Sequence, residues 1–143
     1  MLKKYLAALI GLLGLVGYAN ASDLTVREAW VREGPPTAKV LAGYLTIENS
    51  SEQKQVITGA QSTAFEQVEM HRTEHHHEGH VRMISQDQLE IPAGGRLVLE
   101  PGGNHLMLMG AKQVLRAGDV VDIILKLKDG HHLTVKATVK KEP

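Results

Sequence analysis

Short turns divide the chain after residue 21 into brief segments, and none of these segments shows a long helical period. The turns combine glycine, proline, asparagine, aspartate and serine, which favour tight reversals of the backbone. They lie at residues 34–36, 49–51, 92–95, 101–103, 117–119 and 129–130. A chain broken this often has little room for helices, so the spacing favours a fold made of strands.

The segments between the turns alternate apolar and polar residues, as half-buried strands do. Leu24, Val26 and Trp30 follow this pattern in the first segment, and Tyr44, Leu45 and Ile47 mark the second. The predicted strands cover residues 24–32, 40–48, 55–59, 65–71, 96–100, 105–109, 120–128 and 133–139. Regularly spaced short strands indicate an all-β fold, an antiparallel β-sandwich or barrel. Asp129-Gly130 predicts a hairpin between the last two strands.

The first 21 residues predict a secretory signal peptide. Lys3 and Lys4 precede an apolar stretch, and Ala19 and Ala21 frame a small-residue cleavage site. The apolar stretch is shorter than the roughly 20 residues of a spanning helix, and no cysteine follows it for a lipid anchor. We therefore expect a signal peptide at 1–21, one domain at 22–143 and a periplasmic location.

Composition excludes several classes of function. Lys plus Arg and Asp plus Glu both number 16, so net charge gives no reason to expect binding to nucleic acid, or to a membrane except through partners. Cysteine is absent, which excludes disulfide scaffolds, thiolate metal sites and thiol nucleophiles. The side chains left for a soft metal ion are those of 8 histidines and 5 methionines.

Histidine and methionine share one face of the segment at 105–109. The two-residue period of a strand puts His105, Met107 and Met109 on one face and Leu106 and Leu108 on the other.

In the segment at 65–71 the same period turns His71 away from the core and Met70 into it. With Met83, the candidates His71, His105 and Met107 offer two nitrogen and two sulfur donors, a set suited to Cu(I). The alternative is that the methionines fill the core and the histidines are ordinary surface residues.

The spacing of these four residues resembles that of the PCuAC family of periplasmic copper chaperones. His71 is followed by eleven residues, Met83, twenty-one residues, and then His105-x-Met107; the segments 91–95 and 101–110 also match. The resemblance implies a cupredoxin-like, Greek-key β-sandwich in which His71, Met83, His105 and Met107 hold one Cu(I). Met109, on the same face of its segment, is a spare thioether. The resemblance further implies delivery to the copper centre of cytochrome c oxidase, beside Sco-type assembly proteins.

A histidine cluster between His71 and Met83 departs from that family pattern. It comprises His75, His76, His77 and His80. Imidazole nitrogen suits Cu(II) and Zn(II), so we expect a second, weaker site for those ions in this loop. The alternative is a solvated connection without metal.

Other functions are weighed against a copper chaperone. A histidine-brace redox enzyme would need a histidine at the mature N-terminus, where Ser22 is expected, and no Gly-x-Ser-x-Gly elbow of a hydrolase occurs. The remaining alternatives are a periplasmic copper buffer or resistance protein and a metal-free β-sandwich that binds a protein partner. The resemblance to the PCuAC family favours a non-enzymatic Cu(I) chaperone, and it implies an apo cytochrome oxidase copper subunit as the acceptor.

Overall fold

The computed structural model describes residues 23–142, which form ten strands. The strands are β1 (Leu24–Arg32), β2 (Val40–Asn49), β3 (Gln55–Gln61), β4 (Phe65–His75), β5 (Val81–Ser85), β6 (Leu89–Ile91), β7 (Arg96–Leu99), β8 (Asn104–Ala111), β9 (Val120–Leu127) and β10 (His132–Lys140). The signal peptide predicted at 1–21 lies outside the described residues. Within 23–142, no helix is long and apolar enough to cross a membrane.

The strands form one sheet that closes on itself. They are hydrogen-bonded in the order β5-β4-β8-β2-β1-β10-β9-β3-β6, and β3 also pairs with β4, which completes a ring. β7 extends the sheet by pairing with β2. Among the described residues, the strand pairs are antiparallel except β1 with β10, which are parallel. The expected all-β, cupredoxin-like class is confirmed as a barrel-like sandwich.

The core results from the alternation seen in the sequence. Side chains on one face of every strand except β5 pack together inside the barrel and lose contact with water, the main favourable term in folding. The largest fully buried side chains are Phe65, Ile47, Ile57, Ile91, Leu106, Leu108, Ile123, Leu125, Val31 and Val139. Leu106 and Leu108 fill this core from β8, which turns the alternate residues of that strand to the opposite face.

Eight strands correspond to the predicted segments, and two were not predicted. β5 and β6 fall between residues 71 and 96, where the sequence predicted no strand. β4 is longer than expected and includes His75 at its end. The hairpin predicted at Asp129-Gly130 is present, with Gly130 at φ 92°, a conformation that glycine adopts without a Cβ clash.

Candidate metal centre

Two histidines lie opposite each other on neighbouring strands. In the antiparallel register of β4 and β8, His71 pairs directly with His105. Their ring centroids are 5.9 Å apart with an interplanar angle of 46°. Both are buried, with 9% and 5% of their surface exposed.

The spacing of the two rings fits a shared metal ion. An ion bonded to an imidazole nitrogen at about 2.0 Å lies about 3 Å from the centre of that ring, so two rings on one ion have centres at most about 6 Å apart. The distance between His71 and His105 falls within that limit. The separation of the two rings is therefore compatible with one ion bound between them.

Met107 lies on the same face of the sheet as the two histidines. It is two residues beyond His105 on β8, pairs with Glu69 across the strands, and is partly buried. Leu106 and Leu108, on either side of it, are in the core. Met109 shares the Met107 face but lies one step further from the histidines, opposite Gln67.

Met83 joins this face from β5, the strand on the other side of β4. It pairs with Thr73, while His71 pairs with Ser85, so Met83 is a diagonal neighbour of His71. Diagonal neighbours are about 7–8 Å apart at Cα, within reach of a long side chain. Met83 is 55% exposed. The four predicted residues thus share one face of three adjacent strands, with His71 and His105 buried and Met83 open to solvent.

The turn before β8 fixes the orientation of His105. Its Nδ1 lies 3.1 Å from the carbonyl oxygen of Gly103. A carbonyl only accepts hydrogen bonds, so Nδ1 carries the proton and the Nε2 lone pair is left free. The carbonyl of Gly102, a residue at φ 83°, lies 3.2 Å from His75 Nε2. The same turn therefore holds the end of β4 close to the start of β8.

Two polar residues of β4 that the sequence analysis did not select contact this site. Glu69 Oε2 lies 2.8 Å from His71 Nε2. Gln67 Nε2 donates to the other carboxylate oxygen, Glu69 Oε1, at 2.7 Å. Since 67, 69 and 71 alternate along one strand, the period of two could have placed them on the His71 face. His71 Nδ1 is buried and has no hydrogen-bond partner among the described residues.

The histidine cluster spans the end of β4 and the turn to β5. Its side chains are exposed and do not point toward a common centre. The backbone turns through a 3-10 segment at His77–Gly79, and His76 N donates to His80 O at 2.9 Å. His76 Nε2 lies 3.7 Å from Glu74. Within the part of the chain that the structure describes, no three histidine, aspartate or glutamate side chains form a group arranged for metal binding.

The remaining histidines and Met70 lie apart from the site. Met70 is 4% exposed and packs in the core, as its strand phase predicts. His131 and His132 are exposed near the final hairpin. Hydrogen bonds from His131 lower the pKa of Asp129 below its ordinary value of 3.8.

Comparison with known proteins identifies the family. Residues 24–139 match the family model described as "Putative lipoprotein LpqE-like". This chain belongs to the LpqE-like family. A curated relative, a putative lipoprotein of Leifsonia xyli subsp. xyli, is 31% identical over 143 residues, covering 94% of this chain and 85% of that protein.

Solved structures share the LpqE-like fold. The copper-bound PCuAC domain from PmoF2 superposes with a TM-score of 0.69 at 18% identity, covering 88% of this chain and 97% of that domain. The Cu(I) form of DR1885 from Deinococcus radiodurans gives 0.67 at 40% identity, covering 87% and 81%. Its apo form gives 0.66 at 36% identity, covering 99% and 95%. The PCuAC resemblance seen in the sequence is confirmed.

Proposed function

We propose that this LpqE-like protein holds one Cu(I) with His71, His105, Met107 and Met83, and acts as a copper chaperone rather than an enzyme. The observation that carries the proposal is the direct pairing of His71 with His105, at a ring separation compatible with one ion. The solved Cu(I) form of DR1885, 40% identical to this chain, supports copper as the cargo.

The donors suit a cargo that must leave again. Thioether sulfur and imidazole are neutral ligands that favour Cu(I) over hard cations. Two of the proposed ligands are buried, whereas Met83 is 55% exposed and lies on the edge strand β5. A partner can replace the exposed thioether first and then reach the ion, so Met83 is the expected point of entry and release.

Anaerobic titration with a competing Cu(I) chelator tests this site. We expect the wild type to bind one Cu(I) per chain, and His105→Ala to lose tight binding with the fold retained. His132→Ala is the matched control, because His132 is an exposed histidine on β10. Equal affinity in His105→Ala and His132→Ala would exclude the proposed site.

We propose an apo cytochrome c oxidase copper subunit as the acceptor, with a Sco-type assembly protein as a second partner. A copper buffer would hold the same ion without delivering it. The two functions are separated by mixing the Cu(I)-loaded protein with an apo oxidase copper domain and measuring copper in each after separation. Copper that stays on this chain, at an acceptor excess that favours transfer, would support the buffer.

An envelope location follows from the predicted signal peptide at 1–21 and from the description of the curated relative as a putative lipoprotein. We propose that the protein is periplasmic and reaches this compartment through a cleaved signal peptide. Fractionation of cells that express the full chain tests this. A mature N-terminus at Ser22 in the periplasmic fraction is expected, and an intact chain in the cytoplasm would contradict the location.

We propose a second, weaker site for Cu(II) or Zn(II) in the histidine cluster. Its four imidazoles are exposed and do not point toward a common centre. An ion would have to order them on binding, and the conformational entropy lost in this ordering is consistent with low affinity. The variant with serine at His75, His76, His77 and His80 should lose weak Cu(II) and Zn(II) binding and keep Cu(I) binding. A variant with serine at His131 and His132 is the control. Equal Cu(II) and Zn(II) isotherms in the two variants would show that the histidine cluster does not bind these ions.

A further inference from the structure

The hydrogen bonds around His71 and His105 leave a different ring nitrogen free on each residue. His105 donates through Nδ1 to the Gly103 carbonyl, so its free lone pair is on Nε2. His71 has the opposite arrangement, because its Nε2 lies 2.8 Å from Glu69 Oε2. An ionised carboxylate only accepts, so His71 Nε2 carries the proton and Nδ1 carries the lone pair.

We propose that Glu69 is a positioning residue that fixes His71 as the Nε2–H tautomer and makes Nδ1 the copper-binding atom. The inference rests on the proposed Cu(I) site and deepens it. It assigns Nδ1 of His71 and Nε2 of His105 as the two nitrogen ligands. Glu69 does not touch the ion; it acts on the orientation and the tautomer of the ring that does.

The unpartnered Nδ1 atom of His71 is the second observation behind this assignment. Buried polar atoms in proteins are almost always hydrogen-bonded, and an unsatisfied one calls for an explanation such as an ion. Among the described residues, His71 Nδ1 and Arg32 Nε are the buried side-chain nitrogens without a partner. A lone pair that receives no proton is free to bind a metal.

Gln67 helps to fix the orientation of the Glu69 carboxylate that contacts the His71 ring. Its amide donates to Glu69 Oε1 at 2.7 Å, so both carboxylate oxygens have a partner. Gln67, Glu69 and His71 occupy alternate positions of β4 and form one chain of hydrogen bonds along the strand. Carboxylates bonded to metal-binding histidines in this way commonly fix the tautomer, and their loss costs about 10- to 100-fold in metal affinity.

The experiment is long-range ¹H–¹⁵N NMR of the histidine rings in apo and Cu(I)-loaded full-length protein, combined with chelator competition. In the wild type we expect the Nε2–H tautomer at His71, and a Cu(I)-induced ¹⁵N shift at Nδ1 of His71 and Nε2 of His105. Glu69→Ala should mix the tautomers of His71 and weaken Cu(I) binding by about 10- to 100-fold. Glu69→Gln keeps a hydrogen-bond acceptor, so it should retain most of the Nε2–H tautomer of His71 and most of the Cu(I) affinity.

Glu74→Gln is the matched control, since Glu74 is on the same strand but pairs with Arg72 rather than with His71. Gln67→Ala provides a second, milder variant should Glu69→Ala fold poorly, and a smaller tautomer change is expected there. An Nδ1–H tautomer at His71 in the wild type, or a copper shift at its Nε2, would overturn the proposal. Unchanged tautomer and affinity in Glu69→Ala would also overturn it. If the wild type bound no Cu(I) at all, the proposed function would fail instead. The two failures can be told apart, because the tautomer of His71 in the apo protein tests the role of Glu69 without copper.

Discussion

Substitutions at two neighbouring residues of β8 should affect different properties, one the Cu(I) affinity and the other the free energy of unfolding. Met107 is on the face of His105, whereas Leu108 is fully buried in the core at 0% exposure. Leu108→Ala removes buried methyl and methylene groups and leaves a cavity, which costs about 2–5 kcal/mol of unfolding free energy. Met107→Leu conserves apolar volume and should cost less than about 1.5 kcal/mol.

The assay is a thermal melt of both apo variants, followed by anaerobic Cu(I) competition on the folded proteins. For a domain of this size, a loss of about 3 kcal/mol lowers Tm by roughly 10 °C or more. We expect that drop for Leu108→Ala, with Cu(I) affinity close to wild type while the protein is folded. Met107→Leu should melt within a few degrees of wild type but lose tight Cu(I) binding, because a thioether donor is gone. The reverse pattern would mean that the strand faces are assigned the wrong way round.

Three further predictions concern the core and two titrating side chains. Met70→Leu should leave Cu(I) binding unchanged and cost less than about 1.5 kcal/mol in urea unfolding, since Met70 packs in the core; loss of copper would contradict this. Burial raises the pKa of Tyr44 above 10.0 despite nearby Arg32, so stability should fall as pH rises past about 10, and Tyr44→Phe should remove that part of the fall in Tm. The pKa of Asp129 is lowered by hydrogen bonds from His131, so its contribution is present above pH 3.8 and lost below it. Asp129→Asn should therefore flatten the acid limb of the unfolding curve, and an unchanged limb would refute the assignment.

Local pattern was enough to predict most of the barrel. Alternation and turn residues located β1, β2, β9 and β10 to within about two residues, because each has one face in the core and ends in a turn. The parallel pairing of β1 with β10 was not predictable in this way, since it joins residues more than a hundred positions apart such as Trp30 and Thr138.

β5 and β6 show where pattern reasoning fails. In β5, Val81 and Met83 are both exposed, so its apolar residues do not mark a core face. β6 has only three residues, too few to show a period. Both strands form because neighbouring strands offer backbone hydrogen-bond partners. The sequence of a short segment does not show which strands will lie beside it.

The candidate site was predictable in its residues but not in its arrangement. The two-residue period placed His105 and Met107 on one face, and the family spacing added His71 and Met83. The direct register of His71 with His105 and the hydrogen bond from His71 to Glu69 depend on how β4 aligns with β8 and on side-chain rotamers. Neither follows from the order of residues along one strand.

Copper K-edge X-ray absorption of the protein loaded with one Cu(I) tests the central claim most directly, because it counts the atoms bound to the ion. Two imidazole nitrogens at about 2.0 Å and two thioether sulfurs at about 2.3 Å are expected, by analogy with zinc–nitrogen and zinc–sulfur distances. Met107→Leu should lose one sulfur, and His105→Ala one nitrogen. A spectrum with nitrogen or oxygen neighbours alone, unchanged in both variants, would contradict a copper site built from His71, Met83, His105 and Met107.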